Sequence, residues 1–211
     1  MAREEILHRV RTALGRTGAQ APPPPPPVRL RIPEIGLEAR VASFTTRLEA
    51  LAGRVCRAAL AQDAGALVSR ELGNRVAVAS NAPYLQECGI TGLPNVSSGV
   101  ASRDRLRELC ASADVGITSA DYVLADTGTL VLLSSPQEAR LVSLLPPAHI
   151  AVVPSDRILT GLDQLFALLP DPAVSTSSMV LITGPSRTAD IEQVLVRGVH
   201  GPGQILVVLT G

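Results

Sequence analysis

Short apolar runs alternate with amphipathic segments along most of this chain, and that alternation limits the folds open to it. "NRVAVAS", "DVGIT", "HIAVVP", "SMVLIT" and "QILVVLT" have the length and β-branched content of strands. Between them lie "AQDAGALVSREL", "SRDRLRELCASA", "PQEARLVSLL" and "GLDQLFALL", which read as helices. Ser102 is a good N-cap for the second of these. Upstream, "RVCRA" reads as a strand, and "SFTTRLEALAG" as a helix capped by Ser43 and closed by Gly53. The order favours an α/β fold, a mostly parallel sheet with helices on both faces. One stretch departs from it. "YVLADTGTLVLLS" is two strand-like runs joined by a short Gly-containing turn, which predicts a hairpin and therefore a mixed sheet.

The N-terminal part is built differently. Ile6, Val10 and Leu14 recur every four residues, with Arg9, Arg11 and Glu4 opposite, as in an amphipathic helix that Gly15 ends. Six consecutive prolines, residues 22–27, follow as an extended spacer with no core of its own. The expected organisation is a helical appendage (1–15), a Pro-rich linker (16–39) and an α/β domain (40–211). The appendage's apolar stripe would dock on the main body, a second copy or a partner, so oligomer formation stays open.

Composition excludes several function classes. Aromatic residues make up 2% of the chain, too few for a base-stacking nucleic-acid surface. Net charge is +0, so no global field draws in DNA or an anionic membrane. Every basic residue is Arg, which rules out a Schiff-base lysine, a P-loop lysine and a Ser-Lys dyad. Cys56, Cys88 and Cys110 lie far apart and form no CxxC, so neither a zinc site nor a cluster-binding set is encoded. A charged N-terminus and the lack of a membrane-length apolar run lead to the expectation of a soluble, cytoplasmic protein.

The tetrapeptide Asp126-Thr127-Gly128-Thr129 places a carboxylate and two hydroxyls where flanking residues are built for burial. An aspartic protease needs two such aspartates sharing a proton, and this chain has one in a helix-rich setting. Two readings remain. In one, Gly128 lets the backbone approach a ligand, the threonines and N–H groups hold an anion, and Asp126 is a base or a nucleophile. In the other, Asp126 and Thr127 close the turn by themselves, with Gly128 at positive φ. The same vocabulary recurs in "ITGPSRTADIE", where a strand runs into Gly184-Pro185-Ser186. Loops after strand C-termini are where α/β sheets bind ligands, although Ser186 or Thr188 could equally cap a short helix there. His200, in "RGVHGPGQ", is the histidine best placed to titrate in a loop. Arg140 is the nearest cation following the hairpin that could pair with a carboxylate.

Taken in order, "GITSADYVLADTGTLVLLSSPQEARLVSLLPPAHIAVV" and "ITGPSRTADIEQVLVRGVHGPGQILVVL" resemble the LUD-domain (DUF162-type) family over roughly residues 110–209. The N-terminal helix, its Pro-rich spacer and "FTTRLEALAGRVCRA" follow the same layout. The resemblance implies a fold of the NagB/RpiA/CoA-transferase-like kind. It implies two iron–sulfur protein partners, with the set oxidising L-lactate to pyruvate, and no cofactor or metal in this chain. Many relatives carry Glu where Asp126 stands; the shorter Asp suits holding a hydroxyl or N–H better than covalent catalysis. The expected pocket joins Asp126, Thr127, Gly128 and Thr129 to Gly184, Pro185 and Ser186. His200 completes it, and a small carboxylate is the ligand. Competing readings are a stand-alone sugar-phosphate isomerase-like or acyl-CoA-transferase-like enzyme, and a purely structural scaffold subunit.

Overall fold

The computed structural model describes residues 3–15, 33, 35–189 and 195–211. The chain divides into two units, residues 1–31 and 32–211. In the first, α1 (Arg3–Ala13) has Glu4 and Glu5 in its first turn and Arg11 in its last, matching the helix dipole. Arg9 Nη2 donates to Glu5 Oε1 at 3.0 Å. Ile6, Val10 and Leu14 are exposed. The six prolines expected to act as a spacer lie outside the described residues, as do Asp190 and Glu192 of "TADIE".

The second unit runs in chain order as follows. Helix α2 (Leu37–Ala50) leads to β1 (Arg54–Ala58), α3 (Ala61–Leu72), β2 (Ala77–Ala79), α4 (Pro83–Glu87) and β3 (Val96–Ser97). Then come α5 (Arg103–Ser112), β4 (Val115–Ser119), β5 (Tyr122–Leu124), β6 (Thr129–Leu133), β7 (Ala148–Pro154) and β8 (Ile158–Leu159). Last are α6 (Leu162–Leu168), α7 (Pro172–Ser175), β9 (Met179–Ile182), β10 (Arg187–Ala189), β11 (Leu195–Arg197) and β12 (Gln204–Thr210). No helix among the described residues is long and apolar enough to cross a membrane.

The main sheet has the order β1-β12-β7-β4-β2-β3, with parallel pairing throughout. Its strands carry apolar residues on both faces, so both must be covered. On one face Ala64, Val68 and Leu72 of α3 and Leu85 of α4 pack on Ile117, Ile150, Val152, Leu206 and Val208. On the other, Val41, Phe44 and Leu48 of α2 pack with Ala151, Val153, Val207 and Leu209. Val123, Leu130 and Leu132 of a second sheet join this cluster. That sheet has the order β8-β5-β6-β9, with β5–β6 and β6–β9 antiparallel and β5–β8 parallel.

The α/β class expected from the alternation is the class found, with three local differences. The hairpin is β5–β6, but it belongs to the second sheet with "SMVLIT", so the main sheet stays wholly parallel. Helix α2 starts at Leu37 with Gly36 as its N-cap. Ser43 is therefore inside the helix, where its Oγ donates to the Ala125 carbonyl at 2.8 Å. "PQEARLVSLL" forms only a 3₁₀ turn, Arg140–Ser143. The physical reason lies at both ends. Ser135 Oγ accepts from the N–H groups of Gln137 (3.2 Å) and Glu138 (2.9 Å) as a helix N-cap would, but Glu138 turns its carboxyl onto Ser80 and the Ser119 N–H, and Pro146 and Pro147 close the segment.

This turn presses on the sheet. A Cβ at Gly116, in the middle of β4, would lie 1.9 Å from the Val142 carbonyl oxygen. Gly116→Ala should therefore force β4 and the turn apart, costing about 3 kcal/mol in urea unfolding. An alanine variant with wild-type stability would show that this contact is looser than described.

Candidate functional site

Two groups of polar residues stand out, one anticipated from sequence and one not. The first is a joint between the second sheet and α2. Antiparallel pairing of β6 with β9 puts Leu130 opposite Ile182, which brings Thr129 beside Thr183. Their hydroxyls are 2.9 Å apart, and Thr127 Oγ1 is 2.8 Å from Thr129 Oγ1. Thr127 also donates to Asp126 Oδ1 at 3.2 Å. The DTGT turn and the TGPS loop thus meet, as their shared vocabulary suggested.

Both glycines of the joint face protein. Gly128 has φ +68°, and a Cβ there would be 2.6 Å from the Leu48 amide nitrogen. At Gly184, φ is +86° and a Cβ would be 2.9 Å from the Leu51 Cβ. Each turn lies against the last turn of α2, a close approach that only glycine allows. Arg187 adds a hydrogen bond from its guanidinium to the Leu51 carbonyl. Ser186 ties in the third predicted segment, since its N–H donates to the Pro202 carbonyl (2.9 Å) and its carbonyl accepts from Gly198 (3.0 Å). Pro185 is buried beside it, whereas His200 is exposed on the 198–203 loop. Arg140 is not part of this joint. It stands past the far end of β6, with Ser134 and Ser178 around a hollow of about 800 Å³.

The second group occupies the carboxyl ends of the main sheet. After β2 the chain steps outward to β3, then returns past β2 to β4 and proceeds the other way to β7 and β12. The strand order therefore reverses between β2 and β4, where open α/β sheets form a ligand crevice. Glu138 spans these two strand ends. Its Oε2 accepts from Ser80 Oγ, just after β2, at 2.7 Å, and from the Ser119 N–H, ending β4, at 3.2 Å. Its Oε1 is buried and bonds to no protein group. The residue as a whole is 6% exposed. Beside it opens a cleft of about 340 Å³, bordered by Tyr84, Ser119, Asp121, Gln137, Glu138 and Arg157.

Burial pushes the Glu138 carboxyl up to about 8, against the Ser80 and Ser119 donors, and the nearby Asp121 charge adds to the rise. Glu138 is thus a neutral acid at neutral pH. Oε2 already accepts two hydrogen bonds, so the proton belongs on Oε1, which is left as an unspent donor. Burial likewise raises the Asp121 carboxyl, opposed by the Leu133 N–H at 2.7 Å and by Arg157. Sequence reasoning missed Glu138 because it lay in a segment read as a surface helix. Its place directly after an apolar strand and a Ser-Pro turn was the available signal.

A second buried titratable group lies inside the main sheet. His149 is on β7, with Nε2 2.8 Å from Thr118 Oγ1 and Nδ1 buried without a partner. Burial lowers it to about 4, so it stays neutral.

The LUD domain family matches residues 41–210, all of the main sheet and both polar groups. This chain belongs to the LUD-domain family. A relative from Exiguobacterium sp., called lactate utilization protein C, is 32% identical over 219 residues, covering 98% of this chain and 95% of its own. A relative of the same name from Halalkalibacterium halodurans is 47% identical over 103 residues, and that match spans under half of either chain, 47% of this one and 45% of the relative. A DUF162 family protein from Deinococcus radiodurans, solved as a crystal structure, shares the fold at TM-score 0.61 and 19% identity, covering 84% of this chain and all of its own.

Two measurements check the electrostatics of this LUD domain. The unfolded chain gives up the Glu138 proton near 4.5, while the folded chain keeps it until about 8. Stability attributable to Glu138 is therefore lost as pH rises through that window, at ~1.4 kcal/mol per unit. His149 has the opposite sign. Neutral in the fold, it is protonated in the unfolded chain below 6.5, so stability is lost as pH falls from 6.5 toward about 4. The two cancel between 4.5 and 6.5, leaving Glu138 alone to remove roughly 2 kcal/mol between 6.5 and 8. Urea unfolding should show this fall in wild type and not in Glu138→Gln. At the joint, Thr129→Val should cost about 1 kcal/mol in the same assay, since one buried hydroxyl serves two partners.

Proposed function

We propose that this LUD domain acts in lactate utilization as a subunit without an iron–sulfur cluster of its own, working with iron–sulfur protein partners in the cytoplasm and binding a small carboxylate. The observation that carries the reading is the likeness along 98% of the chain to a protein called lactate utilization protein C. The cysteines are compatible with a subunit that leaves electron transfer to others. Cys88 is buried at the C-cap of α4 and Cys110 on the buried side of α5, in separate clusters. Burial raises both thiols, which suits core filling rather than ligation. The clusters of the proposed system would sit on the partner proteins.

The joint and the cleft each offer polar groups to a small carboxylate, and their electrostatics differ. At the joint the hydroxyls of Thr127, Thr129 and Thr183 bond one another, and the nearest side-chain charge is the Asp126 carboxylate. The cleft has an exposed guanidinium, Arg157, and a neutral acid with an unspent proton. An anion is better matched to the second. The joint then serves chiefly to fix the second sheet on α2.

A strain lacking this chain should grow on glucose but not on L-lactate as sole carbon source, and wild type should restore growth. Asp126→Asn at matched protein level should restore it as well. A tagged copy purified from lactate-grown cells should carry partners with iron–sulfur absorption. Normal growth on lactate without any copy would overturn the lactate assignment. Failure of Asp126→Asn at normal protein level would move the carboxylate site to the joint.

A further inference from the structure

The cleft is more specific than a generic hollow, because three independent features converge on it. It lies at the strand-order reversal of a parallel sheet. Its lining includes the Glu138 carboxyl, almost wholly buried and held through one oxygen by Ser80 and Ser119. The lining also includes Arg157, whose guanidinium forms no ion pair within 4 Å among the described residues, although Asp121 lies near enough to feel its charge. The volume of about 340 Å³ is at the small end of ligand sites.

We propose that this cleft binds a small 2-hydroxy or 2-oxo monocarboxylate, its carboxylate paired with Arg157 and seated beside the neutral Glu138 side chain. The choice of acid rests on the lactate reading above; the site does not. Ser80 and Ser119 hold Oε2, so the Glu138 carboxyl is fixed in rotation. Asp121 is held in turn by the Leu133 N–H. Tyr84 is committed to the Thr210 hydroxyl and forms the wall.

Binding of this kind is linked to protonation. Only the neutral form of Glu138 spares a bound anion a second negative charge beside it, and the anion favours that form further. The charged and titratable groups that share a hollow with Glu138 are Asp121, Tyr84 and Arg157 in the cleft and Arg140 in the neighbouring one. Burial raises Tyr84 as well, so it does not ionise where Glu138 does. Affinity should therefore be flat from pH 6 to 7.5 and fall about tenfold per unit above the Glu138 transition near 8. Removing the Asp121 charge lowers that transition.

The test is isothermal titration of the full chain with L-lactate, pyruvate and lactamide, the last a neutral isostere of lactate. Lactate or pyruvate should bind, and lactamide should bind at least tenfold more weakly. Arg157→Gln should weaken the acids tenfold or more. Glu138→Gln, neutral at every pH, should abolish the loss at high pH. In Asp121→Asn the pH break should move down. Equal binding of lactamide, an unaffected Arg157→Gln, or a pH-independent wild type would each overturn the proposal. Should Glu138→Gln fail to fold, the ¹³C resonance of the Glu138 carboxyl in wild type gives the same information; saturating pyruvate should raise its midpoint, and an unmoved midpoint would refute the contact. Binding with normal growth on lactate in the deletion strain would sink only the proposed function. No binding, together with lactate-dependent growth, would sink only this inference.

Discussion

The last turn of α2 is the contact on which the second half of the structure depends. Phe44 and Leu48, both fully buried, fill the space between the two sheets. The backbone that follows receives Gly128 from one hairpin and Gly184 from the strand beside it. The second sheet contributes only short strands and cannot stand alone. It gains its position by pressing two glycine turns against a helix end, and the Thr129–Thr183 hydroxyl pair locks their relative height. The tetrapeptide that looks most like chemistry in the sequence has, in the fold, a part in assembly.

Much of the architecture was legible beforehand, for a physical reason. Strands such as "HIAVVP" and "QILVVLT" are apolar on both sides because helices or a second sheet cover each face, and periodicity reports that directly. Ser102 was legible as an N-cap because capping is local: its Oγ accepts from the Arg105 N–H at 3.4 Å. Which strands share a sheet was not legible. "SMVLIT" looks like any other strand, and only the pairing of Leu130 with Ile182 assigns it to the hairpin. The start of α2 was misplaced because Ser43 has the chemistry of a cap, yet spends its hydroxyl on the Ala125 carbonyl across the domain. The site divides in the same way. The meeting of the DTGT and TGPS segments could be inferred from similar wording at two strand ends. Glu138 could not, since its environment comes from Ser80, Ser119 and Asp121, none adjacent to it in sequence.

Burial of polar groups follows a pattern across the domain. His149 gives one nitrogen to Thr118 and leaves the other without a partner inside the sheet. Glu138 satisfies one oxygen and not the other. Both stay uncharged by shifting in opposite directions, as desolvation requires of a base and of an acid. His149 is enclosed on all sides and serves the core. Glu138 stands at the rim of the sheet, where the same desolvation leaves a neutral acid beside an open cleft.

The order of the main sheet also bears on how the chain is made. β1 lies at the edge and pairs only with β12, Arg54 opposite Leu206, so its partner is synthesised about 150 residues later. β12 also fills the slot between β1 and β7, with seven residue pairs to the latter from Gln204 to Thr210. During translation the early half of the domain therefore waits with an unpaired apolar strand and an uncovered β7 edge until β12 leaves the ribosome. Closure is late and long-range, which is the slow class of folding event. The nascent chain is exposed to sticking and chaperone capture throughout that interval, and loss of β12 would leave β1 without a neighbour and β7 with one side open.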